Sequence, residues 1–169
     1  MPILIIFSIF ILLFLVFFGA FFGIVWFPTK RKDYERIAKL AQLESEILFY
    51  DLGSGTGDML FYLSEKYNIN CVGIEISPLL YFYSKIRSLF NERVRIRYGN
   101  FFTYDLSKAD VVFFFLYPTY YERLKKKLNN ELKESTRIIT ACWSFKSSTP
   151  ISINKRERGV TYYLYKKPL

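Results

Sequence analysis

Residues 49–58 read FYDLGSGTGD, an apolar lead-in, then glycines at 53, 55 and 57 with Asp51 before them and Asp58 after. The lead-in reads as a strand, the glycines as a tight turn, and the run from Asp58 as a helix. Such a strand–turn–helix unit ordinarily holds phosphate, because bare backbone N–H groups and a helix N-terminus favour an anion. Here two carboxylates would flank that anion. At about 4 Å and an effective dielectric of about 20, each like-charge contact costs about 4 kcal/mol. The spacing is also G-x-G-x-G, one residue short of the dinucleotide fingerprint, and no Gly-Lys-Ser/Thr follows to make a P-loop. Phosphate is the wrong ligand for this turn.

Working outward, short apolar runs alternate with helical patterns. Tyr34 to Leu43 reads as an approach helix, Ile47 to Tyr50 as the first strand and Asp58 to Tyr67 as a helix. Cys71 to Ile76 is a second strand, after which Ser77-Pro78 opens a helix to about Phe90 as cap and first-turn proline. Arg93 to Tyr98 alternates apolar residues with arginines, the pattern of a half-buried strand at a sheet edge. Val111 to Leu116 is continuously apolar, as a strand covered on both faces should be. A helix over Tyr121 to Lys133 with Lys125, Lys126 and Lys127 mostly outward as a solvated face, a strand over Arg137 to Phe145 and a last one over Val160 to Lys166 complete the series. Ser147 to Pro150 reads as a loop, and Trp143 is expected in the core. The order predicts an α/β fold, a Rossmann-like doubly wound, mostly parallel sheet with helices on both faces. Ligands of such sheets collect at the carboxyl ends of the strands. Cys71 and Cys142 each lie alone in an apolar run, which predicts two buried thiols and neither a disulfide framework nor a metal site.

A ligand that suits a glycine turn and carboxylates together is S-adenosylmethionine, which carries an ammonium and a sulfonium and no phosphate. Asp51 can attract its amino-acid end, while Gly53, Ser54, Gly55 and Gly57 let the backbone come close. Glu75 ends the second strand, 18 residues after Gly57, where an acidic side chain accepts both ribose hydroxyls. Asn100 can offer an amide to the adenine edge with Phe101 stacking on the ring. Asp58 reads as a helix N-terminal charge.

DLGSGTGD resembles motif I of the class I, seven-strand S-adenosylmethionine-dependent methyltransferases. Glu75 and the Gly99-Asn100 pair are similar to later cofactor motifs, although many relatives carry Asp where this chain has Asn100; the resemblance covers Glu46 to Lys167. WFPTK, DLGSGTGD, VGIEISPLLYFYSKIR and FFFLYPTYYERLKKKL together resemble a narrower group. These are small membrane-anchored protein-lysine methyltransferases, similar to those modifying the c-ring protein of ATP synthase and the adenine nucleotide translocase. The resemblance implies lysine N-methylation, with S-adenosylhomocysteine as the product.

Methyl transfer from a sulfonium needs a neutral nucleophile held near 3 to 3.5 Å from the methyl carbon. A lysine amine becomes neutral in an apolar, cation-adjacent pocket, so no strong general base is required. The chain has no histidine, which suits this chemistry better than base-assisted O-methylation. The end of the fourth strand, Leu116-Tyr117-Pro118-Thr119-Tyr120, makes Tyr117 and Pro118 candidates to line the acceptor site. It lacks the Asn/Asp-Pro-Pro-aromatic stretch of enzymes acting on base amines, which counts against nucleic acid as the partner.

Residues 1–29 contain no charged side chain, and Ile3 to Phe27 is interrupted only by Ser8, Gly19 and Gly23. As a helix, 25 residues span about 37 Å against a hydrocarbon thickness of about 30 Å. A single transmembrane anchor over 1–29 is therefore expected, then a basic juxtamembrane segment and approach helix over 30–45, and a catalytic domain over 46–169. Lys30, Arg31 and Lys32 follow the apolar run, which predicts a single-pass membrane protein with its catalytic domain cytoplasmic. The +9 net charge suits anionic lipid headgroups as a partner beside a membrane-associated protein substrate. Two further readings are a lipid or quinone methyltransferase and a non-catalytic, cofactor-binding membrane scaffold.

Overall fold

The computed structural model describes residues 3–10 and 27–169 of the chain. The anchor expected over 1–29 therefore lies largely outside the described residues. Residues 3–10 are helical and exposed. Among the described residues no helix is long and apolar enough to cross a membrane.

Seven strands form one mixed sheet: β1 (Leu48–Leu52), β2 (Asn70–Glu75), β3 (Val94–Tyr98), β4 (Val111–Phe114), β5 (Arg137–Ala141), β6 (Ser152–Asn154) and β7 (Tyr162–Lys166). Their order is β3-β2-β1-β4-β5-β7-β6. The first five run parallel, while β7 pairs antiparallel with β5 and β6 antiparallel with β7. Strand order reverses between β1 and β4, so the glycine turn after β1 lies at the switch point, where α/β sheets open a crevice.

The helices are α1 (Arg31–Ala41), α2 (Asp58–Tyr67), α3 (Pro78–Ser88) and α4 (Tyr121–Glu131). One core joins Ile37 and Ala41 of α1 and Leu60 and Leu63 of α2 to Phe49, Cys71, Phe113 and Ile139 of the sheet. The second joins Leu124 and Leu128 of α4 to Leu52, Ile74, Phe114 and Ile138 on the other face. Successive strand residues point to opposite faces, so a strand between both cores must be apolar throughout. β4 is buried at all four positions for this reason. β3, at the edge, keeps Val94 and Ile96 inside and Arg95 and Arg97 outside.

Several sequence readings need correction. Cys71 is buried, but Cys142 is only half-buried, because β5 stops at Ala141 and Cys142 turns left-handed with φ +67°. Trp143 is consequently not in the core. Nor is the lysine triplet a solvated face throughout, since among the described residues Lys126 alone of the three has no partner. Lys127 Nζ donates to the Tyr104 carbonyl at 2.6 Å and to Glu131 at 2.5 Å, and Lys125 Nζ reaches the Ser147 and Ser148 hydroxyls. After the loop at Ser147 to Pro150 comes β6, a strand the sequence reading lacked. It holds α1: the Arg36 guanidinium donates to Asn154 Oδ1 at 2.9 Å and to Asp33 at 2.8 Å.

Candidate active site

The turn after β1 is stitched to the end of β2. The N–H groups of Gly53 and Ser54 donate to the Ile74 carbonyl at 2.8 and 3.1 Å, and the Gly57 N–H donates to Ser54 at 2.9 Å. Gly53, Gly55 and Gly57 have φ of +88°, +56° and +73°, the left-handed region that other residues enter only with strain. A fourth glycine matters that the sequence reading missed. A Cβ at Gly73, the β2 residue paired with Asp51, would stand 2.5 Å from Ser54 Oγ and 2.7 Å from Leu60 Cδ1. A glycine inside a strand is the available signal for such close approach.

Two carboxyl groups are buried here. Asp51 is 6% exposed, and among the described residues no hydrogen bond or ion pair reaches its carboxylate. Burial first, and then the negative charge of Glu75, pushes its pKa up to about 8. Glu75 is 3% exposed and also shifted upward by burial, against the opposing effect of backbone N–H groups. Its carboxylate accepts from the N–H groups of Gly55 and Ser77, each at 2.7 Å, so it braces the turn and the start of α3. Each carboxylate oxygen keeps a further lone pair for a ligand. Beside them the Ser54 hydroxyl is buried and finds no partner among the described residues.

Other anticipated residues lie around this centre. The Gly99 N–H donates to the Glu75 carbonyl at 2.9 Å, which ties the Asn100 turn to β2. Asn100 caps the 3-10 turn Phe101–Thr103 by accepting from the Phe102 N–H at 3.0 Å, leaving its amide NH2 as the outward group. The Phe101 ring lies 4.5 Å from that of Phe102. Asp58 accepts from Arg87 and from the Thr56 hydroxyl, a brace between α3 and the turn.

Across the switch point, Leu116 stands 3.6 Å from the position of a Cβ on Gly53, bringing the segment after β4 against the turn. Tyr117 and Pro118 are exposed there, Tyr117 to 46%. Trp143, after β5 and 38% exposed, stacks on Tyr117 with centroids 5.7 Å apart. Its carbonyl accepts from the Thr140 hydroxyl at 2.6 Å, so the turn at Cys142 holds the indole outward. Phe115 lies 6.1 Å from Trp143 and 6.0 Å from Phe27, at the end of the apolar stretch. No cluster of His, Cys, Asp or Glu that could hold a metal occurs among the described residues. A polar cleft of about 310 Å³ lined by Glu46, Asn68, Asn70, Glu92 and Arg93 lies at the opposite, amino ends of β2 and β3.

Two buried carboxyl groups and an unpartnered hydroxyl around a glycine turn fit a cationic ligand, since positive charge would lower the pKa that burial and mutual repulsion raise. With the seven-strand order, these features define the class I S-adenosylmethionine-dependent methyltransferases. Residues 51–152 match the ANTKMT methyltransferase domain, and the chain belongs to that family. It is 33% identical over 150 residues to a protein-lysine N-methyltransferase of Saccharolobus islandicus, covering 82% of this chain and 90% of that one. It is 31% identical to the human lysine N-methyltransferase of the ATP synthase c-ring protein over 73% of this chain, which spans about half (53%) of the human protein. The crystal structure of an RNA methyltransferase from Salinibacter ruber in complex with S-adenosyl-L-homocysteine superposes with a TM-score of 0.80 at 28% identity, covering 84% of this chain and 94% of that one.

Proposed function

We propose that this methyltransferase is tethered to a membrane by residues 1–29 and N-methylates a lysine of a membrane-associated protein. The observation that carries the acceptor class is the match to a protein-lysine N-methyltransferase along 90% of that relative's length. The domain would face the cytoplasm, as Lys30, Arg31 and Lys32 directly follow the apolar run. In this reading Asp51 holds the ammonium of the cofactor, Gly53, Ser54, Gly55 and Gly57 border it, and Glu75 accepts from the ribose. The Asn100 amide and the Phe101 ring serve the adenine. When bound, S-adenosylmethionine supplies an electrophilic methyl group next to a positive sulfur.

The residues at the mouth act on the acceptor. Tyr117 and Trp143, stacked on each other, offer aromatic faces that guide a lysine ammonium, and with Pro118 they exclude water around the neutral amine. The chain has no histidine to serve as base, so the amine would lose its proton to solvent before it is enclosed. A nucleic-acid acceptor, raised by the name of the Salinibacter protein, is disfavoured by Leu116-Tyr117-Pro118-Thr119-Tyr120, which lacks the polar residue and second proline suited to base amines. The test is incubation of membranes with the enzyme and tritiated methyl donor. Label in a protein band, recovered as methyl-lysine after hydrolysis, is expected. Label confined to the organic extract would assign a lipid or quinone acceptor, and no transfer with no saturable cofactor binding would leave only a scaffold.

A further inference from the structure

α3 is built inside out. Its only buried residue is Ser84, whose hydroxyl is turned back onto the Leu80 carbonyl at 2.8 Å. Leu80 and Tyr81 are half-buried on the inner side, Tyr81 against the core, but most of the helix's large apolar side chains point away from the protein. Leu79, Phe82, Tyr83 and Ile86 of the helix, with Leu89 and Phe90 just beyond it, are 41%, 62%, 54%, 60%, 71% and 88% exposed. At about 100° per residue these six fall within an arc of about 120°. Lys85 and Arg87 stand on the two borders of that arc, and Ser84 and Ser88 lie opposite. Arg87 is engaged by Asp58 at 2.5 Å, whereas no partner for Lys85 occurs among the described residues. Arg93 just before β3 and Arg95 and Arg97 within it are exposed, and Glu92 is the single acid between Pro78 and Tyr98.

We infer that this face is a second membrane contact: α3 and the turn at Leu89-Phe90 lie in the interface of an anionic bilayer. An apolar stripe with cations at its borders is the pattern of a helix lying in the headgroup region, where the borders meet phosphates and the stripe meets acyl chains. A second copy of this chain would instead bring two sets of these cations together in a protein of net charge +9. α3 begins three residues beyond Glu75, so such a contact sets the height of the cofactor crevice above the bilayer.

The inference rests on the bilayer part of the proposed function, and the experiment separates the two. The full chain, with Phe90→Cys carrying an environment-sensitive fluorophore, is incorporated at one copy per nanodisc of phosphatidylcholine and phosphatidylglycerol. Nitroxide-bearing lipids serve as quenchers. Labelling at Glu134→Cys, exposed on the turn between α4 and β5 on the opposite face of the sheet, is the control, and signal from the native thiols is subtracted using the parent chain. Quenching at position 90 is expected to exceed that at 134 by about threefold or more, and to fall in pure phosphatidylcholine. Ile86→Cys should behave like Phe90→Cys, which guards against a local effect of one substitution. Equal quenching at 90 and 134 would overturn the inference. So would quenching or burial seen only with two copies per disc, which would assign the face to self-association. A chain that does not co-purify with discs ends both the anchor and this contact; a disc-bound chain unquenched at 90 ends this contact alone.

Discussion

Asp51 is the residue on which the site turns, and its ionisation makes a testable statement about stability. In the unfolded chain an aspartate titrates near 3.9, whereas in the fold Asp51 is pushed up to about 8. Between those values the folded state keeps a proton that the unfolded state has released, so stability falls as pH rises through that window and levels off above it. Asp51→Asn has no such proton. Its melting temperature without cofactor is expected to rise relative to the parent as pH goes from 4 to 9, while cofactor affinity drops by at least about tenfold. Parallel melting curves across that range would refute the assignment of Asp51 as a buried, unpaired acid. Gly73 acts by shape alone. Gly73→Ala places a methyl 2.5 Å from Ser54 Oγ, and overpacking of this kind costs about 1–3 kcal/mol. Denaturant unfolding should show that loss, and titration calorimetry should show weaker cofactor binding because Ser54 and its turn must shift; unchanged values in both would contradict the packing. That the loop glycines, Asp51 and Glu75 meet at one turn was legible in the sequence, because spacing alone constrains a strand–turn–helix unit. Gly73 and Trp143 were not. One is needed for a contact across two strands, and the other is exposed by a left-handed turn at Cys142, a residue type that rarely signals one.

At the scale of elements, period and punctuation were sufficient where an element faces the core on a regular rhythm. α2 begins and ends where the sequence places it, β3 sits at the edge its alternation requires, and β4 lies in the middle. β6 was missed because its three residues carry no apolar alternation; Ser152 and Ile153 are exposed and Asn154 is there for its hydrogen bonds. The link from Asn154 to Arg36 is what fastens α1 to the sheet. The Arg36 guanidinium also donates to the Asn154 and Val160 carbonyls at 3.0 Å each, and lies 4.9 Å from the Tyr162 ring centroid. Its removal leaves the buried Asp33 carboxylate with the more distant, half-exposed Arg156 guanidinium at 3.8 Å. Arg36→Met should therefore destabilise the protein by about 3 kcal/mol in denaturant unfolding, even though it conserves apolar volume. The double variant Arg36→Met with Asp33→Leu should recover most of that loss. Without such recovery, the cost would belong to the bonds with Asn154 and Val160 rather than to the uncompensated acid.

At the scale of the whole molecule, charge and hydrophobicity are divided along the chain. Residues 1–29 hold no charge, and everything basic follows. Phe27, Phe115, Trp143 and Tyr117 form a line of neighbouring rings from the end of the apolar stretch to the proposed acceptor mouth. The proposed tether would join the fold beside that mouth, would favour lysines near the bilayer surface and would hold enzyme and acceptor in one thin layer. Confinement of two partners in this way raises effective concentration, and the gain commonly reaches about 10² to 10⁴. Full-length enzyme reconstituted with an acceptor protein in the same vesicles is thus expected to methylate it at least about 100-fold faster than when the two occupy separate vesicles. Methyl transfer followed by mass spectrometry reads both cases, and a soluble peptide bearing the same lysine should react at one rate in either arrangement. Equal rates for the embedded acceptor in shared and separate vesicles would mean that the tether does not govern encounter, and the membrane-facing arrangement of the site would have to be given up.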